Sequence, residues 1–292
     1  MGHPPTAPQQ RTSPGTAGSY PEPVHPDPQP AASGLRQDHP ANGVLRLTLD
    51  RPEQRNALTA QLASELRSAV AKAGVDQSVR VVIVTGAGSA FCAGADLGAL
   101  GSRAETMAER RSILAEYYRA FLDLRELAVP TIAAVHGPAI GAGLNLALCC
   151  DLRILSHQAR LAAPFLRLGI HPGGGCSWLL TRLAGTAATR ELLLLGQAID
   201  AERAFQLGLA SELVEVEQLQ EVATARAAAI ARLPGPLVRD LKRTLGLAES
   251  GASFEATLAV ESAAQAESMT TEDAREGWAA FRERRQPSFH DR

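Results

Sequence analysis

The hydrophobic and polar positions of this 292-residue chain fall into distinct runs. In VLRLTL (Val44–Leu49), Leu45, Leu47 and Leu49 alternate with Val44, Arg46 and Thr48, which predicts a strand with two unlike faces. Two aliphatic runs, Arg80 to Val84 and Thr131 to Val135, predict strands buried on both faces. Before them, Leu62, Leu66 and Val70 recur at helical spacing, so a helix is expected from Thr59 to about Ala73 with Thr59 as N-cap. A long pattern of mixed charge from Arg103 to about Leu127 predicts a surface helix that walls or lids the core. Later patterns predict a strand at Asp151–Ser156 and helices at Cys176–Leu183, Glu191–Leu195, Ala201–Leu207 and Glu217–Leu233, with a short strand near Leu213–Val216. Pro236–Leu247, Phe254–Met269 and Thr271–Arg285 complete the chain as helices, the last capped by Thr270 or Thr271 with Glu272 and Asp273 in its first turn.

Two stretches interrupt this alternation with unusually bare backbone. The first, TGAGSAFCAGADL (Thr85–Leu97), follows a strand. Its Gly86-x-Gly88 lacks the third glycine of a dinucleotide fingerprint, since Phe91 stands there and no helix opens. The second, PTIAAVHGPAIGAGLNLALCCD (Pro130–Asp151), runs from a buried strand through the His136-Gly137-Pro138 turn into Gly141-Ala142-Gly143 and an apolar helix. A helix start leaves N–H groups unpaired and carries partial positive charge, so such a place holds an anion or an oxygen that becomes one. Three other readings of the second stretch stand beside this one. It has the length of a membrane span, against which Pro138, His136 and Asn145 argue. Its glycines at 137, 141 and 143 have the wrong spacing for a dinucleotide site. They also suit plain close packing of a core strand and helix.

Met1 to about Pro40 is a separate regime. It holds ten of the 18 prolines and almost no aliphatic residue beyond alanine, and is expected to be disordered. PEPVHPDPQP (Pro21–Pro30) could present a PxxP ligand, although a solvated tail is the simpler expectation. Aromatics make up only 4% of the chain, so the core must be built from Ala, Leu, Val and Ile. A formal charge of −2 gives no basic footprint for nucleic acid or an anionic membrane surface. Cys92, Cys149, Cys150 and Cys176 lie in apolar or glycine-rich contexts without metal-ligand spacing, as expected of buried thiols in a reducing compartment. The N-terminus shows no secretory pattern, so a cytoplasmic location is expected.

Taken together and in register, LDRPEQRNALT (Leu49–Thr59), FCAGADL (Phe91–Leu97), PTIAAVHGPAIGAGLNLALCCDLRI (Pro130–Ile154), LGIHPGGG (Leu168–Gly175) and TEDAREGWAAFRERRQPSF (Thr271–Phe289) resemble the crotonase (enoyl-CoA hydratase/isomerase) superfamily. The resemblance implies an α/β fold, a spiral of ββα units over residues 41–230 with a C-terminal helical region at 231–292, assembled as a homotrimer or hexamer. It implies an acyl-CoA substrate that brings coenzyme A with it, no permanently bound cofactor or metal, and no membrane or nucleic-acid partner. It also implies an oxyanion hole made by the N–H groups of Ala95 and Ala142, which would stabilise enolate charge on a thioester oxygen. Arg55, Ala57, Ala93, Ala95, Asp96 and Leu97, with the Asn56-Ala57-Leu58 turn, would line the CoA and substrate site, Arg55 toward a phosphate.

The chain departs from the family at the two glutamates that place and activate water. Those positions are Asn145 and Phe165, and neither an amide nor a phenyl ring can exchange a proton usefully. His171, in the loop after Phe165, is the candidate replacement acid or base, with a loop or capping role as the alternative. His136, Asp96 and Asp151 are expected to be structural, and Glu105 and Glu109 to lie on a solvated helix face. The function expected is binding of an acyl-CoA thioester with enolate stabilisation and non-standard acid–base chemistry. The alternative is a non-catalytic acyl-CoA carrier on the same scaffold.

Overall fold

In the computed structural model of the chain, residues 34–96 and 105–292 are described, and they begin with a strand that the hydrophobic pattern misses. This strand, β1 (Leu35–Ala41), pairs antiparallel with β2 (Val44–Leu49) through the Asn42-Gly43 turn, with Ala41 opposite Val44 and Leu35 opposite Leu49. Asn-Gly is the sequence mark of a tight hairpin, and Gly43 takes the positive φ of 75° that such a turn needs. The start of the folded part therefore moves back from Val44. The pattern hides β1 because it is an edge strand of mostly exposed polar residues. Pro40 is tolerated where the register slips between Asp38 and Ala41. The remainder of the Pro-rich tail, residues 1–33, lies outside the described residues.

The main sheet has six strands in the order β1-β2-β3-β4-β6-β9, parallel from β2 onward. Here β3 is Val81–Gly86, β4 Thr131–Val135, β6 Leu152–Ser156 and β9 Glu212–Val214. A smaller sheet joins β5 (Pro138–Ile140), β7 (Arg160–Ala162) and β8 (Ile199–Asp200). Both faces of the main sheet are buried, as the aliphatic runs predict for parallel strands. Leu47, Leu49, Val82, Val84, Ala133 and Val135 face helices α1 (Ala60–Val75), α2 (Met107–Glu126) and α3 (Ala142–Cys149). Val44, Val81, Ile83, Ile132 and Ala134 face the other way. Val44 and Thr48, which the alternation put on a polar side, are thus buried too.

The helix termini follow the local chemistry. The Thr59 side chain accepts from Leu62 N at the start of α1, and Thr106 with Glu109 forms a full capping box at the start of α2. Helix α2 starts at Met107, and the predicted start at Arg103 lies outside the described residues. Helix α4 (Cys176–Leu195) spans the two helices expected at Cys176–Leu183 and Glu191–Leu195, with a kink at Gly185 (φ 77°) after which helical structure resumes at once. Five helices follow: α5 (Ala201–Gln206), α6 (Leu219–Ala231), α7 (Gly235–Glu249), α8 (Phe254–Ser268) and α9 (Glu272–Glu283). Alanines 223 and 227 bring α6 close against the second face of the sheet, and Thr271 caps α9.

Asp151, at an exposed position, caps the first residue of β4 rather than pairing deep in the core. Its Oδ2 accepts from Thr131 N (2.7 Å), Thr131 Oγ1 (2.8 Å) and Lys242 Nζ (2.6 Å), which ties α7 to the sheet. All four cysteines are buried free thiols. No helix among the described residues is long and apolar enough to cross a membrane, and Pro130–Asp151 is two strands and a short helix.

Candidate active site

The first bare stretch is clasped by the loop before α1. Asn56 is fully buried with a left-handed φ of 55°. Its Oδ1 accepts from Arg51 N (2.9 Å), and its Nδ2 donates to the carbonyls of Ala87 (2.8 Å) and Ala90 (2.7 Å). Its side chain therefore holds two loops together and is no part of a ligand surface, which corrects the expectation that it lines the CoA site. Ala93 N donates to Arg55 O (2.9 Å), Leu58 N to Gly94 O (2.8 Å) and Asp96 N to Leu58 O (3.2 Å). In this parallel bridge Leu58 uses the groups on either side of Ala95. The N–H of Ala95 consequently points away from Leu58, and no described group accepts it.

The second bare stretch is pinned against the first. Cys92 N donates to Pro138 O (3.1 Å), and Ile140 N donates back to Cys92 O (3.0 Å). Gly143 packs so tightly on this rung that a Cβ there would lie 2.1 Å from the Cys92 carbonyl oxygen. Gly141, with φ 54° and ψ −113°, turns the chain into α3, and Ala142 is its first residue. An amide in that position has no intrahelical acceptor, and none is found among the described residues. Gly94 joins the two amides. A Cβ on Gly94 would sit 2.9 Å from Ile140 O and 4.0 Å from Ala142 N. The peptide that carries the Ala95 N–H thus lies against the turn that carries the Ala142 N–H, and both are without acceptors.

The other predicted residues divide. Asn145 stands one turn into α3, only 1% exposed, with Nδ2 donating to Gly173 O (2.8 Å). Its Oδ1 is buried without a partner among the described residues. Phe165 is half-buried, and its ring tip is 3.9 Å from where a Gly141 Cβ would be. Ala57, Ala93, Ala95 and Asp96 are half-exposed around the clasp. Leu97 lies outside the described residues. Arg55 is exposed, and its guanidinium forms no ion pair among the described residues.

His171 is exposed, and its Nδ1–H donates to the adjoining Pro172 carbonyl (2.7 Å) rather than to any group of the clasp. His136 is half-buried, and burial lowers its pKa, so its ring is neutral. Glu109 accepts from the Thr106 and Glu105 amides in the capping box, which holds its carboxyl below the usual range. Burial pushes the Cys92 thiol up to about 12, so it supplies no thiolate beside the clasp.

Two tyrosines of α2, not singled out from the sequence, pack against these loops. Tyr117 Oη donates to Leu58 O (3.0 Å). The hydroxyl of Tyr118 lies 2.2 Å from where a Gly173 Cβ would stand. The available signal was modest: two of only three tyrosines are adjacent, in an otherwise polar helix. Among the described residues no cluster of His, Cys, Asp and Glu could hold a metal ion.

Comparison with known proteins supplies the family. Residues 39–292 match the family model described as enoyl-CoA hydratase/isomerase. The Mycobacterium tuberculosis protein named "Probable enoyl-CoA hydratase EchA14" is 43% identical over 212 residues, covering 73% of this chain and 81% of its own length. A Bacillus anthracis enoyl-CoA hydratase structure superposes with TM-score 0.83 at 33% identity, covering 89% of this chain and all (100%) of the other. A Thermobifida fusca protein described as an enoyl-CoA hydratase, solved in complex with CoA, aligns with TM-score 0.74 at 34% identity over 81% of this chain and 93% of its own. The fold, the two bare stretches in register and these likenesses agree: the chain belongs to the enoyl-CoA hydratase/isomerase family.

Proposed function

We propose that the chain binds a fatty acyl-CoA thioester and stabilises its enolate with the N–H groups of Ala95 and Ala142. One observation carries this reading: two acceptor-less amides are held on neighbouring turns by Gly94. A thioester oxygen placed between them would gain charge as the enolate forms, and each such donor contributes about 3–4 kcal/mol to that state. Coenzyme A enters as part of the substrate, and the CoA-bound Thermobifida fusca relative supports this. Arg55, exposed beside Ala57 and Ala93, is the phosphate partner in this reading. Asn145 and Phe165 replace both carboxylates of a hydratase, so two-glutamate hydration is not the reaction.

Calorimetry with octanoyl-CoA, CoA and octanoate tests the reading. Octanoyl-CoA is expected to bind at least tenfold more tightly than either fragment. Equal, negligible heats for all three would remove it. A panel of enoyl-, 3-oxoacyl- and malonyl-type thioesters then separates an enzyme from a carrier. One observation favours the carrier: Asn145 is sealed and tied to Gly173, leaving no proton acceptor at its position.

Residues 231–292 serve assembly in this proposal. Leu241 (59%), Leu245 (54%), Trp278 (53%) and Phe281 (85%) are exposed on α7 and α9, more large apolar surface than a lone subunit ordinarily leaves in water. A homotrimer or hexamer would cover it. Sedimentation is expected to give three or six copies for the native chain and mostly monomer for the double variant Leu241→Glu, Leu245→Glu. A monomeric native chain would end the proposal.

A further inference from the structure

The direction of the Ala95 N–H is set from behind, by Leu58. A peptide unit is planar and trans, so its C=O and N–H point opposite ways. The Gly94 carbonyl is directed at Leu58 N (2.8 Å), and the Ala95 N–H of the same peptide is thereby turned away from Leu58. Whatever fixes Leu58 therefore fixes the aim of that N–H.

Two donors hold the Leu58 carbonyl. One is local, Asp96 N at 3.2 Å. The other comes from 59 residues further along the chain, the Tyr117 hydroxyl of α2 at 3.0 Å. Tyr117 is buried, and its ring meets Tyr118 and Phe121 edge-on with centroids 6.0 and 6.5 Å away. Those two rings belong to its own helix. Tyr117 also lines a cavity of about 390 Å³ between α1 and α2, beside Ala60, Ala63 and Ile113. A ring that borders open space is not fixed by its neighbours alone, and the bond to Leu58 is what ties it across to the clasp. Burial raises the Tyr117 pKa above the ordinary phenol range, so the hydroxyl remains a donor through neutral and mildly alkaline pH.

We propose that Tyr117 is the positioning residue of the oxyanion hole. By holding the Leu58 carbonyl from α2 it fixes the Gly94–Ala95 peptide, and so the line along which the Ala95 N–H meets a thioester oxygen. This rests on the acyl-CoA reading above, and Tyr117 itself touches no substrate in it. Without the hydroxyl, the Leu58 carbonyl keeps the Asp96 amide, so no buried acceptor is stranded and Tyr117→Phe should still fold. What it loses is the second point of attachment, which leaves Leu58, and the peptide bonded to it, free to tilt.

The test is infrared difference spectroscopy of the full chain and Tyr117→Phe with octanoyl-CoA labelled with heavy carbon at the thioester carbonyl. Stronger hydrogen bonds to that oxygen lower its stretching frequency, so the band reports the two amides directly. The native complex is expected to give one narrow band below that of octanoyl-CoA in water. In Tyr117→Phe the band should broaden and return toward its solution place, while octanoyl-CoA affinity falls by no more than about tenfold, the scale of one net hydrogen bond. For any thioester that is turned over, kcat should fall about tenfold with KM within about twofold of native. Thr131→Val is the control for general loosening: it removes a hydroxyl bonded to Asp151 at the opposite end of β4, and should lower the melting temperature without moving the band. A native band in Tyr117→Phe, or a band displaced as far by Thr131→Val, would overturn the positioning role and leave the acyl-CoA reading standing. Tight octanoyl-CoA binding by the native chain with its band unmoved from solution would end the oxyanion hole itself. No octanoyl-CoA binding would bring down the acyl-CoA reading and this inference together.

Discussion

Replacing Gly94 by alanine will lower turnover of the best thioester in the panel by about 100- to 1,000-fold, the scale of losing one oxyanion donor. Gly94 has φ 108°, where an L-residue is strained, and a Cβ would meet the Ile140 carbonyl oxygen at 2.9 Å. Both effects push the Ala95 peptide away from the Ala142 turn. Because catalysis depends on where the two N–H groups aim, a shift of a few tenths of an ångström acts on the transition state more than on bound substrate. The rate constant is therefore expected to fall more than the affinity. A folded Gly94→Ala protein with turnover within twofold of native would show that the two amides do not act on one oxygen. For a pure carrier, octanoyl-CoA affinity replaces turnover as the quantity that must fall.

The second large effect is on stability. Asn56→Ala removes three hydrogen bonds and leaves the Ala90 carbonyl without a partner in a buried place and the Arg51 N–H and Ala87 carbonyl without one in half-buried places. A stranded group costs about 1–3 kcal/mol, the buried carbonyl toward the top of that range and the two half-buried groups toward the bottom, so a loss of about 3–6 kcal/mol is expected. The left-handed φ of 55°, which asparagine tolerates and alanine does not, adds to it. In a domain of this size that lowers the melting temperature by roughly 10 °C or more. Asn56→Asp should do no better: its carboxylate still accepts from Arg51 N but faces two carbonyls it cannot donate to. A native melting temperature in either variant would refute the clasp as the element that holds the first bare stretch. Since Ala93 to Asp96 hang on the same clasp, thioester binding should fall with it.

The chain's local statements were readable before folding. The buried strands, the caps Thr59 and Thr271 and the break near Gly185 follow from side-chain spacing and from what glycine and threonine do to neighbouring backbone. So do the two bare stretches, because a run of Gly and Ala leaves amides uncovered in any fold. That positions 145 and 165 hold Asn and Phe was likewise plain, whereas the expectation of carboxylates there came from the family resemblance. The edge strand β1 was hidden because pairing on one side alone allows polar residues and a proline, which erases the alternating signal.

Only the tertiary structure decided which groups are free. Asn56 and Asn145 look alike in sequence, yet folding ties the first to three main-chain groups and leaves the second with one bond and a stranded oxygen. Tyr117 and Tyr118 are neighbours, yet one hydroxyl is committed to Leu58 and the other is not. His171 read as a spare acid or base and turned out to be bonded to its own loop. The physical reason is common to all of them. Residue type sets what a side chain can donate or accept, but whether its partner is present depends on segments tens of residues away.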